Sequence, residues 1–313
     1  MIKKSIRPLA ISTDLKEIAN LLFVCFADAM DEDGERYIEY LRRFSQTLLF
    51  TKIAQRNPEK YSLPGEGFVY KDKGKLVGNI TLSRMNYQDE MIYLISNVAV
   101  LPEYRGKGIA KELTQTALQY IECKGVKQVW LQVKQKNQTA IDLYRQFGFQ
   151  SFMVRTTWMR KTTNIFLKKP EEICLRKRKK DEWEIQKKLL ERTYPAELTS
   201  AYCFEIASIQ PVLRNVIKDV LRSRITTHWA AEIGQKVGFA SYELFPDQTY
   251  VNLWIAAPEP IEKRSLSLLI PAVHARIGKE IRVNYPEKEY ADCFRAIGMQ
   301  ELNTLIWKRK YIV

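Results

Sequence analysis

A chain of 313 residues with 46% hydrophobic, 27% charged and 11% aromatic side chains has the profile of a folded globular protein with room for two domains. It is neither a disordered nor a fibrous polypeptide. Lys and Arg outnumber Asp and Glu by 50 to 36, a net charge of +14 spread over both halves, which suits an anionic partner without selecting a small phosphate over a nucleic acid.

In chain order, a short apolar-basic segment, Ile2 to Leu9, reads as a strand. It leads into Asp14-Leu15-Lys16-Glu17-Ile18, where Asp followed by Glu three residues later predicts a capped helix start. These polar residues also interrupt any leader-like apolar core behind Lys3, Lys4 and Arg7. The longest apolar run, Leu21 to Ala27, is seven residues, far below the roughly 18 of a membrane span. A cytoplasmic protein without membrane association is the expectation.

Further on, Gly74-Lys75-Leu76-Val77-Gly78 sits between apolar segments as in a β-hairpin. Ile95 to Val100 reads as a buried strand, and Ile109, Leu113, Ala117, Tyr120 and Ile121 follow helical spacing up to Gly125. Val129 to Val133 is a further strand, and Asn137 to Phe147 a further helix closed by Gly148.

The same order then returns. Ile173 to Arg178 parallels the first strand, Asp181 to Ile185 the helix start, and Gly234 to Gly238 the hairpin. Trp254-Ile255-Ala256-Ala257-Pro258-Glu259 pairs with Val98-Ala99-Val100-Leu101-Pro102-Glu103, and Cys293 to Gln300 pairs with Leu143 to Gln150. The offset between partners shrinks steadily, as it would had loops shortened between corresponding elements, so two copies of one α/β (α+β) unit are expected. Lys168-Lys169-Pro170 marks the join, giving domains over 1–167 and 168–313.

Five cysteines, Cys25, Cys123, Cys174, Cys203 and Cys293, form no CxxC pair and have only His228 and His274 beside them. Buried reduced thiols and no metal site are expected. The run Arg176-Lys177-Arg178-Lys179-Lys180 reads as a solvated loop, and no aromatic-interleaved basic motif points to nucleic acid.

The chemistry concentrates where a strand meets a helix, at Arg105-Gly106-Lys107-Gly108-Ile109-Ala110. Small residues let the backbone approach a ligand, and the first N–H groups of a helix have no internal acceptor. With the positive end of the helix dipole and two basic side chains, the turn suits a pyrophosphate. It is neither a Walker A loop nor a dinucleotide-binding Gly-x-Gly-x-x-Gly.

The stretch Val98 to Ala110, with Arg105, Gly108 and Ala110 in an Arg/Gln-x-x-Gly-x-Gly/Ala pattern, resembles the acetyl-CoA-binding segment of the GCN5-related N-acetyltransferase (GNAT) superfamily. A second segment, Asn137, Ala140, Leu143-Tyr144 and Gly148-Phe149, is similar to the family pattern Asn-x-x-Ala-x-x-Leu-Tyr-x-x-x-Gly-Phe. The resemblance implies two tandem GNAT-like domains, each a mixed V-shaped sheet flanked by helices. The strands carrying Val98, Ala99 and Val100 and Leu131 to Val133 would splay to admit the pantetheine arm of acetyl-CoA. Backbone groups at Val98 and Val100 would bind that arm, and the N–H groups of Gly106, Lys107, Gly108, Ile109 and Ala110 the pyrophosphate. Asn137 would help hold the donor, and Tyr144 would face its sulfur.

The implied activity is transfer of an acetyl group from acetyl-CoA to an amine-bearing acceptor by direct attack, the alternative being a non-catalytic acyl-CoA sensor or scaffold. Tyr144, a phenol with an ordinary pKa of about 10, is the expected proton donor to the departing thiolate. No base is assigned: some relatives carry Glu where this chain has Gln132, and an amide cannot take a proton at neutral pH. Asp28, Asp31, Glu32, Asp33, Glu35 and Glu39 against Arg36 alone read either as a solvated surface or as an acidic acceptor wall. In the second copy Ile261, Arg264 and Leu266 stand opposite Arg105, Gly108 and Ala110, and Phe294 stands opposite Tyr144. That copy is expected to support the fold or shape the acceptor site without binding acetyl-CoA.

Overall fold

The computed structural model describes residues 5–27, 30, 32–46, 63–161, 173–201, 206–221, 223–245, 248–286 and 289–312. It divides into two compact units, one of residues 1–153 with 306–313, the other of residues 154–305. The expected join at Leu167 to Glu172 lies outside the described residues. The division differs from the expected one because the end of the chain returns to the first unit. There Ile306 and Ile312 pack on the apolar core, Trp307 meets Phe152 edge-on at 6.4 Å, and the Ile312 N–H donates to the Lys127 carbonyl at 2.8 Å.

The first unit runs β1 (Ser5–Pro8), α1 (Ile11–Phe26), α2 (Glu32–Ser45), β2 (Glu66–Asp72), β3 (Lys75–Tyr87), β4 (Glu90–Val100), α3 (Ile109–Glu122), β5 (Gln128–Lys134), α4 (Gln138–Gln146) and the start of β6 (Gln150–Arg160). Its sheet has the order β1-β2-β3-β4-β5, antiparallel except for the parallel pair β4–β5. The second unit repeats the scheme with β7 (Leu175–Lys177), α5 (Trp183–Thr193), α6 (Ala196–Ala201), α7 (Leu213–Leu221), β8 (Ile225–Ile233), β9 (Lys236–Leu244), β10 (Tyr250–Ala256), α8 (Glu262–Ile277), β11 (Glu280–Pro286), α9 (Ala291–Ala296) and the start of β12 (Gln300–Tyr311). Here β10–β11 is the parallel pair, and β6 residues 155–160 pair antiparallel with β11.

One glycine contact recurs in both units and fixes their correspondence. A Cβ on Gly78 of β3 would lie 3.0 and 3.1 Å from Ile109 and Leu113 of α3, and one on Gly238 of β9 would lie 2.9 and 3.1 Å from Ser265 and Leu269 of α8. Helix and sheet approach too closely for any side chain there.

The helix starts differ in chemistry from the capping box that the spacing predicts. Ile11, Leu15, Ile18, Ala19 and Leu22 form the buried stripe of α1. The helix begins at Ile11, so Asp14 lies inside its first turn. Its carboxylate accepts the Ala10 N–H at 2.9 Å and both Arg7 guanidinium nitrogens at 2.7 and 2.6 Å. In α5 the neighbouring Glu182, not Asp181, makes the corresponding bonds, to the Lys179 N–H at 2.7 Å and to Arg176. The thiols also differ from expectation: Cys123 and Cys174 are exposed, Cys25 is half-buried and Cys293 buried, and Cys203 lies outside the described residues.

Burial alone would raise the Asp14 pKa, but the Arg7 bonds, the Ala10 N–H and nearby Lys71 outweigh it and hold the carboxyl below its usual range. A depressed folded pKa stabilises the fold above the unfolded value, about 4, and that contribution is lost as pH falls through the folded value. Asp14→Asn is expected to cost about 2 kcal/mol at pH 7 and to flatten the acid limb of stability against pH, measured by urea unfolding between pH 2 and 7.

Candidate functional site

Strand β4 pairs with β5 only at Tyr93/Val129, Leu94/Trp130 and Ile95/Leu131. On its other edge it stays paired to β3 up to Gly78/Val100. The last third of β4 is therefore bonded on one side and open on the side facing β5. The Leu101 N–H donates to the Val77 carbonyl at 2.9 Å, so by strand alternation Val98 and Val100 turn their amides toward the opening.

The opening is prepared by a β-bulge that the sequence reading missed. Between Asn79/Ala99 and Thr81/Ser96 the register shifts, placing one extra residue in β4. Asn97 within it takes a left-handed φ of 51°. The fully buried Asn79 donates from Nδ2 to the Asn97 carbonyl at 2.9 Å and to Thr81 Oγ1 at 3.2 Å. The available signal was two asparagines inside otherwise apolar strand runs, where Asn is disfavoured.

Beyond β4, Gly106 and Gly108 have φ of 75° and 79°, and open space surrounds the position of a Cβ on either. Gly108 is the N-cap of α3 and offers no side-chain cap. The first helical bond joins the Glu112 N–H to the Gly108 carbonyl at 3.0 Å, which leaves the N–H groups of the first turn available to a ligand. Arg105 and Lys107 flank the turn but are not aimed across it. Arg105 Nε donates to the Val100 carbonyl at 3.2 Å, which also accepts from Cys25 Sγ at 3.2 Å. Lys107 lies 4.7 Å above the Tyr104 ring.

Val98, Val100, Ile109, Ala110 and Tyr144 belong to one apolar cluster, with Ala99 buried among them. Tyr144, on α4, is buried and meets Phe149 edge-on at 5.9 Å. Burial pushes its phenol up to about 12, so it holds its proton through the neutral range. Asn137 is exposed and caps α4, its Oδ1 accepting the Ala140 N–H at 3.1 Å. Gln132 sits half-buried in β5 beyond its last pairing with β4.

Of the acidic stretch, Asp28 and Asp31 lie outside the described residues. Glu32 to Glu39 lie in α2, where Asp33 pairs with Arg36 at 2.7 Å and Glu39 with Arg43. Tyr37 of the same helix accepts from Asn97 Nδ2 at 3.5 Å, and burial raises its pKa.

The second unit has the same splay and fills it with its own side chains. Pairing of β10 with β11 ends at Asn252/Arg282, while β10 stays paired with β9 to Ala256. The Ile255 N–H, turned toward the gap, donates to the hydroxyl of fully buried Tyr194 at 3.1 Å. The Tyr194 ring is held edge-on to Trp254 at 5.0 Å and under Arg155 at 5.5 Å. Arg192 donates to the Ala257 carbonyl and to Glu262, both at 2.7 Å, and Glu262 also accepts from the Tyr285 hydroxyl. In the correspondence set by Gly78 and Gly238, Glu262 takes the place of Gly106, so a buried carboxylate occupies the start of α8. Leu266 is fully buried, and Phe294 stacks on Trp158 at 5.0 Å in place of a phenol.

The basic run Arg176 to Lys180, which begins within β7, is partly inward-facing. Arg176 pairs with Glu182 and Arg178 donates to Gln186 at 2.6 Å, while Lys177 lies 4.2 Å over Trp229. His228 bonds Ser241 Oγ at 2.9 Å, and burial lowers its pKa to about 3, leaving it neutral. Among the described residues no helix is long and apolar enough to cross a membrane.

The family model of the GNAT acetyltransferases matches residues 22–149, the segment that holds the bulge, the glycine turn and Tyr144. The chain is 28% identical over 132 residues to an N-alpha-acetyltransferase, MAK3, of Arabidopsis thaliana, covering 39% of this chain and 70% of that one. It spans less than two thirds of the length of several other curated N-acetyltransferases that it matches. Among solved structures, a GCN5-related N-acetyltransferase from Sphaerobacter thermophilus shares the fold with a TM-score of 0.60 at 15% identity, covering 98% of this chain and 95% of that one. A tandem GNAT protein from the clavulanic acid biosynthesis pathway does so with 0.54 at 13% identity, covering 99% and 98%. With the family match lying across the opened strands and the glycine turn, residues 22–149 form a domain of the GNAT acetyltransferase family.

Proposed function

We propose that the first unit transfers an acetyl group from acetyl-CoA to an amine-bearing acceptor by direct attack, and that the second unit binds no acyl-CoA. The observation that carries this reading is the contrast between the two openings. The first has free first-turn N–H groups, outward-turned β4 amides and open space at Gly106 and Gly108. The second is filled by Tyr194, Arg192 and Glu262.

An acyl-CoA suits the first opening on these grounds. The amides of Val98 and Val100 would bind the amide-rich arm along β4 as an added strand would. The N–H groups from Gly106 to Ala110 would bind the pyrophosphate, helped by the helix dipole and by Arg105 and Lys107. Arg105 would leave the Val100 carbonyl to do so. Asn137, already spent on its cap through Oδ1, keeps its amide donors for the ligand.

Attack by a neutral amine on the thioester carbonyl forms the C–N bond and breaks the C–S bond, and the departing thiolate needs a proton. Tyr144, protonated and in the same apolar cluster as Val98 and Val100, would supply it. The acceptor loses its own proton to solvent, since Gln132 cannot take it.

Calorimetric titration with acetyl-CoA is expected to give one site per chain, abolished by Gly108→Trp, which forces a bulky side chain into a left-handed turn beneath the ligand. Two sites, or none on the folded protein, would overturn the reading. With an amine acceptor, Tyr144→Phe should lower kcat about 100-fold with little change in KM for acetyl-CoA. The wild-type rate should rise with pH as the amine deprotonates, with no loss attributable to Tyr144 below about pH 11, followed by release of free CoA thiol.

A further inference from the structure

We infer that Asn79 is a positioning residue for the donor site: its side-chain amide clamps the β4 bulge that turns the Val98 and Val100 amides into the opening. The inference rests on the acyl-CoA reading above and names a residue outside both sequence motifs.

Three observations converge on it. Asn79 lies in the middle of β3 with no solvent exposure, among Val77, Gly78 and Ile80. Its two N–H donors are both used, one on the Asn97 carbonyl and one on Thr81 Oγ1. Its Oδ1 is buried without a partner. A buried amide with an orphaned oxygen is a costly choice at a position that Leu would fill, so packing does not explain it. What the amide alone can do is hold the Asn97 carbonyl, which the bulge removes from the ladder to β3.

The second unit supplies an internal control. By the Gly78/Gly238 correspondence, Phe239 stands where Asn79 does. Phe239 is fully buried, and β9 and β10 pair there without interruption from Leu253/Tyr242 to Ala256/Phe239. No residue of β10 takes a positive φ. The copy without the asparagine has no bulge, and its gap is filled from within.

The clamp has geometric consequences. A bulge increases local twist and bends its strand, and here it falls two residues past the last β4–β5 pair, Ile95/Leu131. Asn97 Nδ2 also reaches Tyr37 on α2, so the same residue ties the donor strand to the helix beside the opening.

The test uses the full chain with Asn79→Leu, which removes the donors and the orphaned oxygen together, and Asn79→Ser, which retains a shorter donor. Acetyl-CoA dissociation constants, thermal midpoints and amide hydrogen exchange at Asn97 and Val98 are measured. Asn79→Leu should weaken acetyl-CoA binding about tenfold or more, keep or raise the thermal midpoint, and slow exchange at Asn97 or Val98 as the strand pairs regularly with β3. Asn79→Ser should recover part of the affinity, and in turnover the change should fall on KM for acetyl-CoA rather than for the amine. A folded Asn79→Leu that binds as wild type overturns the proposal. So does affinity lost only in proportion to stability, with Ser no better than Leu. If Asn79→Leu does not fold, Asn79→Ser and Asn79→Thr decide between the same outcomes. Wild type that fails to bind acetyl-CoA, with exchange altered as expected in Asn79→Leu, would refute the acyl-CoA reading and leave the clamp standing.

Discussion

Two neighbouring strands that stop hydrogen bonding partway along a sheet leave a row of backbone N–H and C=O groups to be satisfied by something other than the sheet. Both units of this chain are built around that constraint. Each has one parallel pair, β4–β5 or β10–β11, that holds for three residues and then opens. Each follows the opened strand with a helix, α3 or α8. Everything distinctive about the two units comes from how the exposed groups are answered.

In the second unit the chain answers them itself. A tyrosine hydroxyl takes a β10 amide, an arginine takes the carbonyl at the strand end, and a glutamate occupies the helix start with arginine and tyrosine donors around it. A carboxylate at the positive end of a helix is favourable for the same reason that a phosphate would be. In the first unit the carbonyl of Val100 is answered by Cys25 and Arg105, and two left-handed glycines leave the helix start bare. The same scaffold, closed in one copy and open in the other, accounts for why a single set of glycine and tyrosine motifs is found along the chain.

Much of this was legible in the residues. The glycine turn before Ile109, the helix that follows Asn137 and the hairpins at Gly74 and Gly234 are local features, set by backbone conformation and short-range spacing. The capping of α1 was misread for an equally local reason: Asp14 with Glu17 looks like a capping box, but Arg7, seven residues upstream, recruits Asp14 into the first turn. The basic run that begins in β7 looked uniformly solvated, yet alternation turns Arg176 and Arg178 toward Glu182 and Gln186 while Lys177 crosses a tryptophan.

By itself, then, the sequence determined the order of elements, the repeat, the glycine turn before Ile109 and the residues that differ in the second copy, because these depend on neighbours a few positions apart. Only the tertiary structure decided that the last strand completes the first unit, that Asn79 holds the bulge at Asn97, and that Tyr194 and Glu262 fill the second gap. Those contacts join residues 18 to 61 or more positions apart. No periodicity encodes them, because a buried polar group is satisfied by whatever donor or acceptor the packed chain brings within hydrogen-bonding distance.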